Sequence, residues 1–153
     1  MAIVFRESGK KELEVDQNNI NKFSEHIGAF PLIFIAPDDT KLLTGGSEER
    51  RKLIDTILSQ TDDQYLTQLI RYNKTLQDRN KYLKSLDNIQ ADQLLLDSFD
   101  EQLQKAGLII LNKRIDFLRV FLPMVSDLYH FISSESDLPS LNPVFSTQPE
   151  SYM

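Results

Sequence analysis

The 153-residue sequence contains no cysteine. That excludes a disulfide framework, a thiolate nucleophile and a thiolate metal site. Its two histidines, His26 and His130, stand far apart and carry no ligand spacing, so a zinc site is not expected. No apolar run approaches the ~20 residues needed to span a bilayer, and no stretch reads as a signal peptide. The expected compartment is the cytoplasm, with no membrane partner. Neither histidine lies near a plausible serine, so no nucleophile–base pair can be assembled. A phosphate-binding P-loop needs a Lys-Ser/Thr pair after its glycines. Gly45-Gly46 lead instead into Ser47-Glu48, and Gly9-Lys10 lead into Lys11. The chain by itself is therefore expected not to be an enzyme.

What is present fits an ordinary globular domain. Apolar residues make up 41% and charged residues 26%, and the length is enough to bury a single core. The net charge of −6 argues against a surface that is basic all over, while leaving room for a local basic patch.

The opening AIVFRESGKKELEV reads as a hairpin: Ile3 to Phe5 is β-branched and aromatic, Ser8-Gly9-Lys10 offers a turn, and Leu13 and Val15 alternate with glutamates. The polar stretch DQNNINKF reads as a connection. PLIFIAP is a short apolar run between prolines, which predicts a buried strand over about Leu32 to Ala36. After Gly45-Gly46 the period changes. Ser47 reads as an N-cap, Glu48 and Glu49 suit the positive first turn, and Leu53, Ile54, Ile57 and Leu58 form an apolar stripe. A break near Ser59 to Asp63 leads into a second helix, whose residues Leu66, Leu69, Asn73, Leu76, Asn80 and Leu83 make a seam for another helix. A third helix begins near Asp92 and keeps helical spacing to Phe131, with Pro123 expected to kink it or split off its last turns. From residue 134 on, three prolines and no period read as a tail or a returning strand. The expected fold is α+β and mostly α: a β-rich segment over 1–46, a long antiparallel helical hairpin over 47–133, and a Pro-rich tail over 134–153.

Three clusters invite a functional reading, each beside a plainer one. Asp38 and Asp39 directly follow the expected strand, where two carboxylates could hold a metal or position a water; equally, they could form a solvated turn. Arg50 and Arg51 sit in a first helical turn, where the helix dipole disfavours cations. Arg51 reaches Asp55 at i+4, whereas Arg50 meets Ile54 there, leaving Arg50 the better candidate for an external anion or an interdomain carboxylate. From 71 to 84, Arg71, Lys74, Arg79, Lys81 and Lys84 face only Asp78; from 85 to 104 there are five carboxylates and no cation. Across a helical hairpin the two segments would neutralise one another. Alternatively, the basic stripe could meet a nucleic-acid backbone, with Tyr72 and Tyr82 nearby.

At these residues the sequence resembles the RecF family of bacterial DNA replication and repair proteins, within the SMC/ABC-like ATPase group. The family signature is met by Pro37, Asp38, Leu42-Leu43, Gly45-Gly46, Arg50-Arg51, Ile54 and Asp55, with Ser47 in place of a proline and Leu53 in place of an aromatic. RYNKTLQDRNKYLK (71–84) and DEQLQKAGLIILNKR (100–114) resemble two further family hallmarks. The resemblance implies an internal piece of a longer protein, its Met1 not the native start, covering the arm and lid subdomain with part of the edge of an ATPase head. Pro37, Asp38 and Asp39 would then neighbour a Q-loop-like segment near the nucleotide. Gly45, Gly46, Arg50, Arg51 and Asp55 would form the head–arm junction, and the five cations would be possible DNA contacts. The family's Walker A, Walker B and ABC signature motifs are not found in these residues. ATP and Mg2+ would be bound by the full-length protein, a weak DNA-dependent ATPase. Its implied partners are gapped and double-stranded DNA, RecO, RecR and a second copy on ATP binding, in gap repair, replication restart and the SOS response. The alternative is a helical protein-interaction module that never touches DNA.

Overall fold

The computed structural model describes residues 2–5, 11–15 and 18–20 by their backbone, and residues 24, 26–86 and 90–133 in full. Predicted features at 6–10 and 134–153, including the Ser8-Gly9-Lys10 turn and the Pro-rich tail, lie outside the described residues. The chain divides into two compact units, Met1–Leu66 and Thr67–Met153.

The first unit opens with a three-stranded antiparallel sheet in the order β1-β2-β3. Strand β1 (Ala2–Phe5) pairs with β2 (Lys11–Val15) in the register Ile3↔Leu13 and Phe5↔Lys11. Strand β3 (Asn18–Ile20) pairs with β2 through Leu13↔Ile20. The polar stretch expected only to connect thus adds a strand, since ladder hydrogen bonds need backbone groups and not an apolar pattern.

Residues 31–36 correct a second expectation. They form no strand, and Leu32, Ile33, Phe34 and Ile35 are 71–86% exposed. An apolar run becomes a buried strand only when neighbours pair its backbone and cover its faces, and among the described residues its backbone is paired only by Asp39, on Ala36, and by the Gln60 side chain, on Leu32. Its Oε1 accepts the Leu32 N–H at 2.8 Å, and its Nε2 donates to the Leu32 carbonyl at 3.3 Å.

A 3₁₀ turn (Pro37–Thr40) then runs into the short helix α1 (Lys41–Thr44), and two extended glycines lead to α2 (Ser47–Thr61). A single residue, Asp62, separates α2 from α3 (Asp63–Lys84). Its N–H caps Leu58 at the end of α2, while its Oδ1 accepts the Tyr65 N–H at 2.9 Å at the start of α3. One residue serving both helices, α2 through its backbone N–H and α3 through its side chain, explains why the break is shorter than the expected Ser59–Asp63.

In the second unit α3 lies antiparallel to α4 (Gln93–Ser133). As the contact on α3 moves back from Tyr82 through Arg79 to Tyr72, its partner on α4 moves forward from Phe99 through Asp100 to Gly107. Asp92 starts α4 as expected, its Oδ1 accepting the Leu94 and Leu95 N–H groups. The Tyr82 hydroxyl accepts the Asp92 N–H at 2.7 Å and so ties the end of α3 to that cap. Ala106, Ile110 and Thr75 are buried. Tyr72, Arg79 and Tyr82 of α3 meet α4; of the expected seam Leu66 is buried and Leu69 and Leu76 are half-buried, whereas Asn73 and Asn80 are exposed. Pro123 does not split α4, which runs on to Ser133. Beyond Ile110 its apolar stripe loses cover: Val120, Met124, Leu128 and Phe131 are 58–83% exposed.

Candidate functional site

The loop after residues 31–36 is built from its own short-range bonds. Asp39 Oδ2 accepts the Ala36 N–H at 2.8 Å while the Asp39 N–H returns to the Ala36 carbonyl at 3.0 Å, so this carboxylate closes the 3₁₀ turn. Asp38 Oδ2 pairs with Lys41 Nζ at 2.9 Å, and both side chains are largely in solvent. Pro37 begins the turn at a position where its missing N–H costs nothing. The two carboxylates thus have separate partners and separate work.

The glycine pair divides likewise. A Cβ on Gly45 would lie 2.5 Å from the Lys41 carbonyl oxygen and 3.3 Å from Glu49 Cγ, whereas one on Gly46 would meet nothing within 4 Å. Gly46 takes the N-cap position of α2 with no side-chain cap, and Ser47, expected there, is the first helical residue. The Ser47 Oγ accepts Arg51 Nη1 at 3.0 Å. Arg50 Nη1 donates to the Leu42 and Gly45 carbonyls, each at 3.2 Å. These are the carbonyls left open where α1 stops, so a cation in the first turn of α2 is repaid by capping the helix before it. Asp55 Oδ1 accepts the hydroxyl of Tyr65, which is fully buried.

On α3 the five cations separate. Arg79 Nε donates to Asp100 Oδ1 across the hairpin at 2.8 Å, with its side chain only 28% exposed. Arg71, Lys74, Lys81 and Lys84 are exposed and have no ion pair among the described residues. At 3.6 residues per turn Lys74 and Lys81 fall on the side of α3 opposite Tyr72 and Arg79, flanked by Arg71 and Lys84. On α4, Lys105 hydrogen-bonds Glu101; that bond and the lysine's charge hold the Glu101 carboxyl below its usual range. Among the described residues no three His, Asp or Glu side chains gather as metal ligands.

The chain is similar to the DNA replication and repair protein RecF of Bacteroides thetaiotaomicron, at 38% identity over 133 residues, 87% of this chain and 36% of that protein. It is 41% identical to the Cytophaga hutchinsonii protein of the same name over 129 residues, 84% of this chain and 34% of that protein. Its fold matches a solved structure of the recombination mediator protein RecF-ATPrS in the RecFOR pathway, with a TM-score of 0.80, 31% identity, and coverage of 87% of this chain and 36% of that one. Over these residues the chain belongs to the RecF family. It spans about a third of the length of the relatives it matches. No family model matches it.

The RecF signature now has a local physical content: Pro37 starts a turn, Asp38 pairs with Lys41, Gly45 permits a close approach, Arg50 caps α1, and Asp55 receives Tyr65. Asp39 is committed to the Ala36 N–H, Gly45 and Gly46 are extended, and no lysine follows them. Reading the sequence missed Gln60, and it placed Tyr82 beside the cations without its tie to Asp92. Gln60 acts through two hydrogen bonds to Leu32 and Tyr82 through one to Asp92, contacts for which neither period nor motif gives a signal.

Proposed function

We propose that this chain is the arm of a RecF-like, ATP-dependent DNA-binding protein of recombinational gap repair and replication restart. Residues 1–46 belong to the edge of the ATPase head, and residues 47–133 are the helical arm that contributes to duplex DNA binding. The observation that carries this reading is the 0.80 TM-score match at 31% identity to a RecF-ATPrS structure, together with signature residues Pro37, Gly45 and Arg50 that build the turn and cap α1. ATP and Mg2+ would be held by the rest of the protein, with Asp38 and Asp39 beside the nucleotide loop and Arg50 and Arg51 at the junction. RecO, RecR and a second ATP-bound copy would be the protein partners, and the cytoplasm the compartment. Among the described residues no helix is long and apolar enough to cross a membrane. Arg71, Lys74, Lys81 and Lys84 supply the phosphate contacts, and Arg79 serves the hairpin instead.

The test is nucleotide dependence in a full-length chimera in which this chain replaces the matching third of the Bacteroides thetaiotaomicron protein. Duplex binding that strengthens with ATP supports the reading. Binding indifferent to ATP would retire it. A second reading, a protein-interaction module without DNA contact, is favoured by the exposed Val120, Met124, Leu128 and Phe131 face and the net charge of −6. Apolar docking is nearly indifferent to salt, whereas phosphate contacts weaken steeply.

A further inference from the structure

Among the described residues the buried apolar side chains of the first unit are Leu58, Tyr65 and Leu66, and each lies within about a turn of Asp62, which alone separates α2 from α3. Asp62 is extended, at φ −144° and ψ 102°. Its N–H closes α2 on the Leu58 carbonyl at 2.9 Å. Its carbonyl accepts the Leu66 N–H at 3.1 Å, and its carboxylate caps the Tyr65 N–H at 2.9 Å. The φ torsion of Asp62 lies between the group that serves α2 and the groups that serve α3. These bonds therefore tie each helix to Asp62 and leave the angle between the helices soft. A contact that reaches across this torsion is the Tyr65 hydroxyl, which donates to Asp55 Oδ1, about two turns up α2.

Tyr65 lies wholly out of solvent, so its hydroxyl needs a protein acceptor, and the half-buried Asp55 supplies one. The lever beyond this contact is long. At 1.5 Å per residue Lys84 lies roughly 28 Å along α3 from Tyr65, so a tilt of about 15° at the joint carries it about 7 Å. That is about twice the axial spacing of phosphates on one DNA strand, ~3.4 Å. We propose that Tyr65 and Asp55 are positioning residues: their hydrogen bond locks the direction in which α3 leaves α2, and that direction decides how many α3 cations reach duplex phosphates together. This rests on the reading that the α3 cations meet DNA.

Two readouts in the full-length chimera test it: the distance distribution between spin labels at Lys52 on α2 and Gln77 on α3, and the salt slope of ATP-dependent duplex binding. Both label positions are exposed. Tyr65→Phe keeps the buried ring and removes only the hydroxyl. It should broaden the distribution at unchanged helix content by circular dichroism, and flatten the log–log salt slope by at least about 1, near 0.9 per lost contact. A loss of stability alone would lower the folded fraction and leave the slope as it was. Asp55→Leu should reproduce both effects and add nothing to Tyr65→Phe, whereas Asp55→Asn, which keeps an oxygen to accept the hydroxyl, should hold the narrow distribution. Wild-type distances and slope in both Tyr65→Phe and Asp55→Leu overturn the proposal, and so does a broadened distribution with an unchanged slope. If duplex binding by the chimera ignores ATP, the functional reading falls by itself and the distances decide the joint: broadening by Tyr65→Phe upholds the lock, and no broadening overturns it.

Discussion

Adjacent glycines at 45 and 46 should respond oppositely to the same methyl group. At Gly45 the added Cβ would sit 2.5 Å from the Lys41 carbonyl oxygen, a backbone atom that cannot swing away as a side chain could. That carbonyl already accepts the Gly45 N–H at 2.7 Å, and the Gly45 carbonyl accepts Arg50, so relieving the clash disturbs both bonds. Overpacking of this kind costs about 1–3 kcal/mol. Losing glycine's freedom in the unfolded chain returns about 0.4–1 kcal/mol. Gly45→Ala should therefore destabilise the first unit by about 0.6–2 kcal/mol, taking the two low figures together and the two high ones together. At Gly46 the methyl meets nothing within 4 Å, and the loss of a glycine N-cap is roughly offset by the same entropic gain. Urea unfolding followed by circular dichroism, with hydrogen exchange of the α2 amides to localise the effect, measures both. Equal effects from the two variants, or a larger loss from Gly46→Ala, would refute the geometry of this turn.

Two further outcomes follow from the hairpin. A double-mutant cycle on Arg79→Ala and Asp100→Ala should give a coupling of about 0.5–1 kcal/mol, since partial exposure (28% and 55%) screens the pair; a coupling indistinguishable from zero would show that the pair is not formed in solution. Glu101 should titrate below the ordinary carboxylate range, and Lys105→Met should return it there by NMR. Because its folded pKa is depressed, the stability it adds is present above the unfolded value and is lost as pH falls through the folded one. A Glu101 midpoint unchanged by Lys105→Met would show that the lysine is not what depresses it.

How far the sequence could be read depended on the range of the interactions. The third helix could be placed at Asp92 because cap and stripe are local, and mostly helical architecture followed from period alone. PLIFIAP misled because an apolar run says what a segment tolerates and not which neighbours it has. The seam of α3 was legible in part: Leu69 and Leu76 are half-buried, but Asn73 and Asn80 are exposed, and two tyrosines and an arginine that no leucine pattern signals also meet α4. Arg50 was legible as needing a partner, but not as a cap on α1, since Leu42 and Gly45 become its neighbours only once the glycines turn the chain.

The stripe of four exposed cations on α3 offers the sharpest measurement of the DNA-binding reading. In the ATP-bound chimera, duplex affinity should fall linearly with salt on a log–log scale. Replacing Lys74 and Lys81 with alanine should flatten that slope by about 2, near 0.9 for each lost phosphate contact. Replacing Arg71 and Lys84 as well should flatten it by between about 3 and 4 in total, at about 0.9 per contact. A slope that none of these replacements changes would contradict the account, and leave α3 as a surface that duplex DNA never meets.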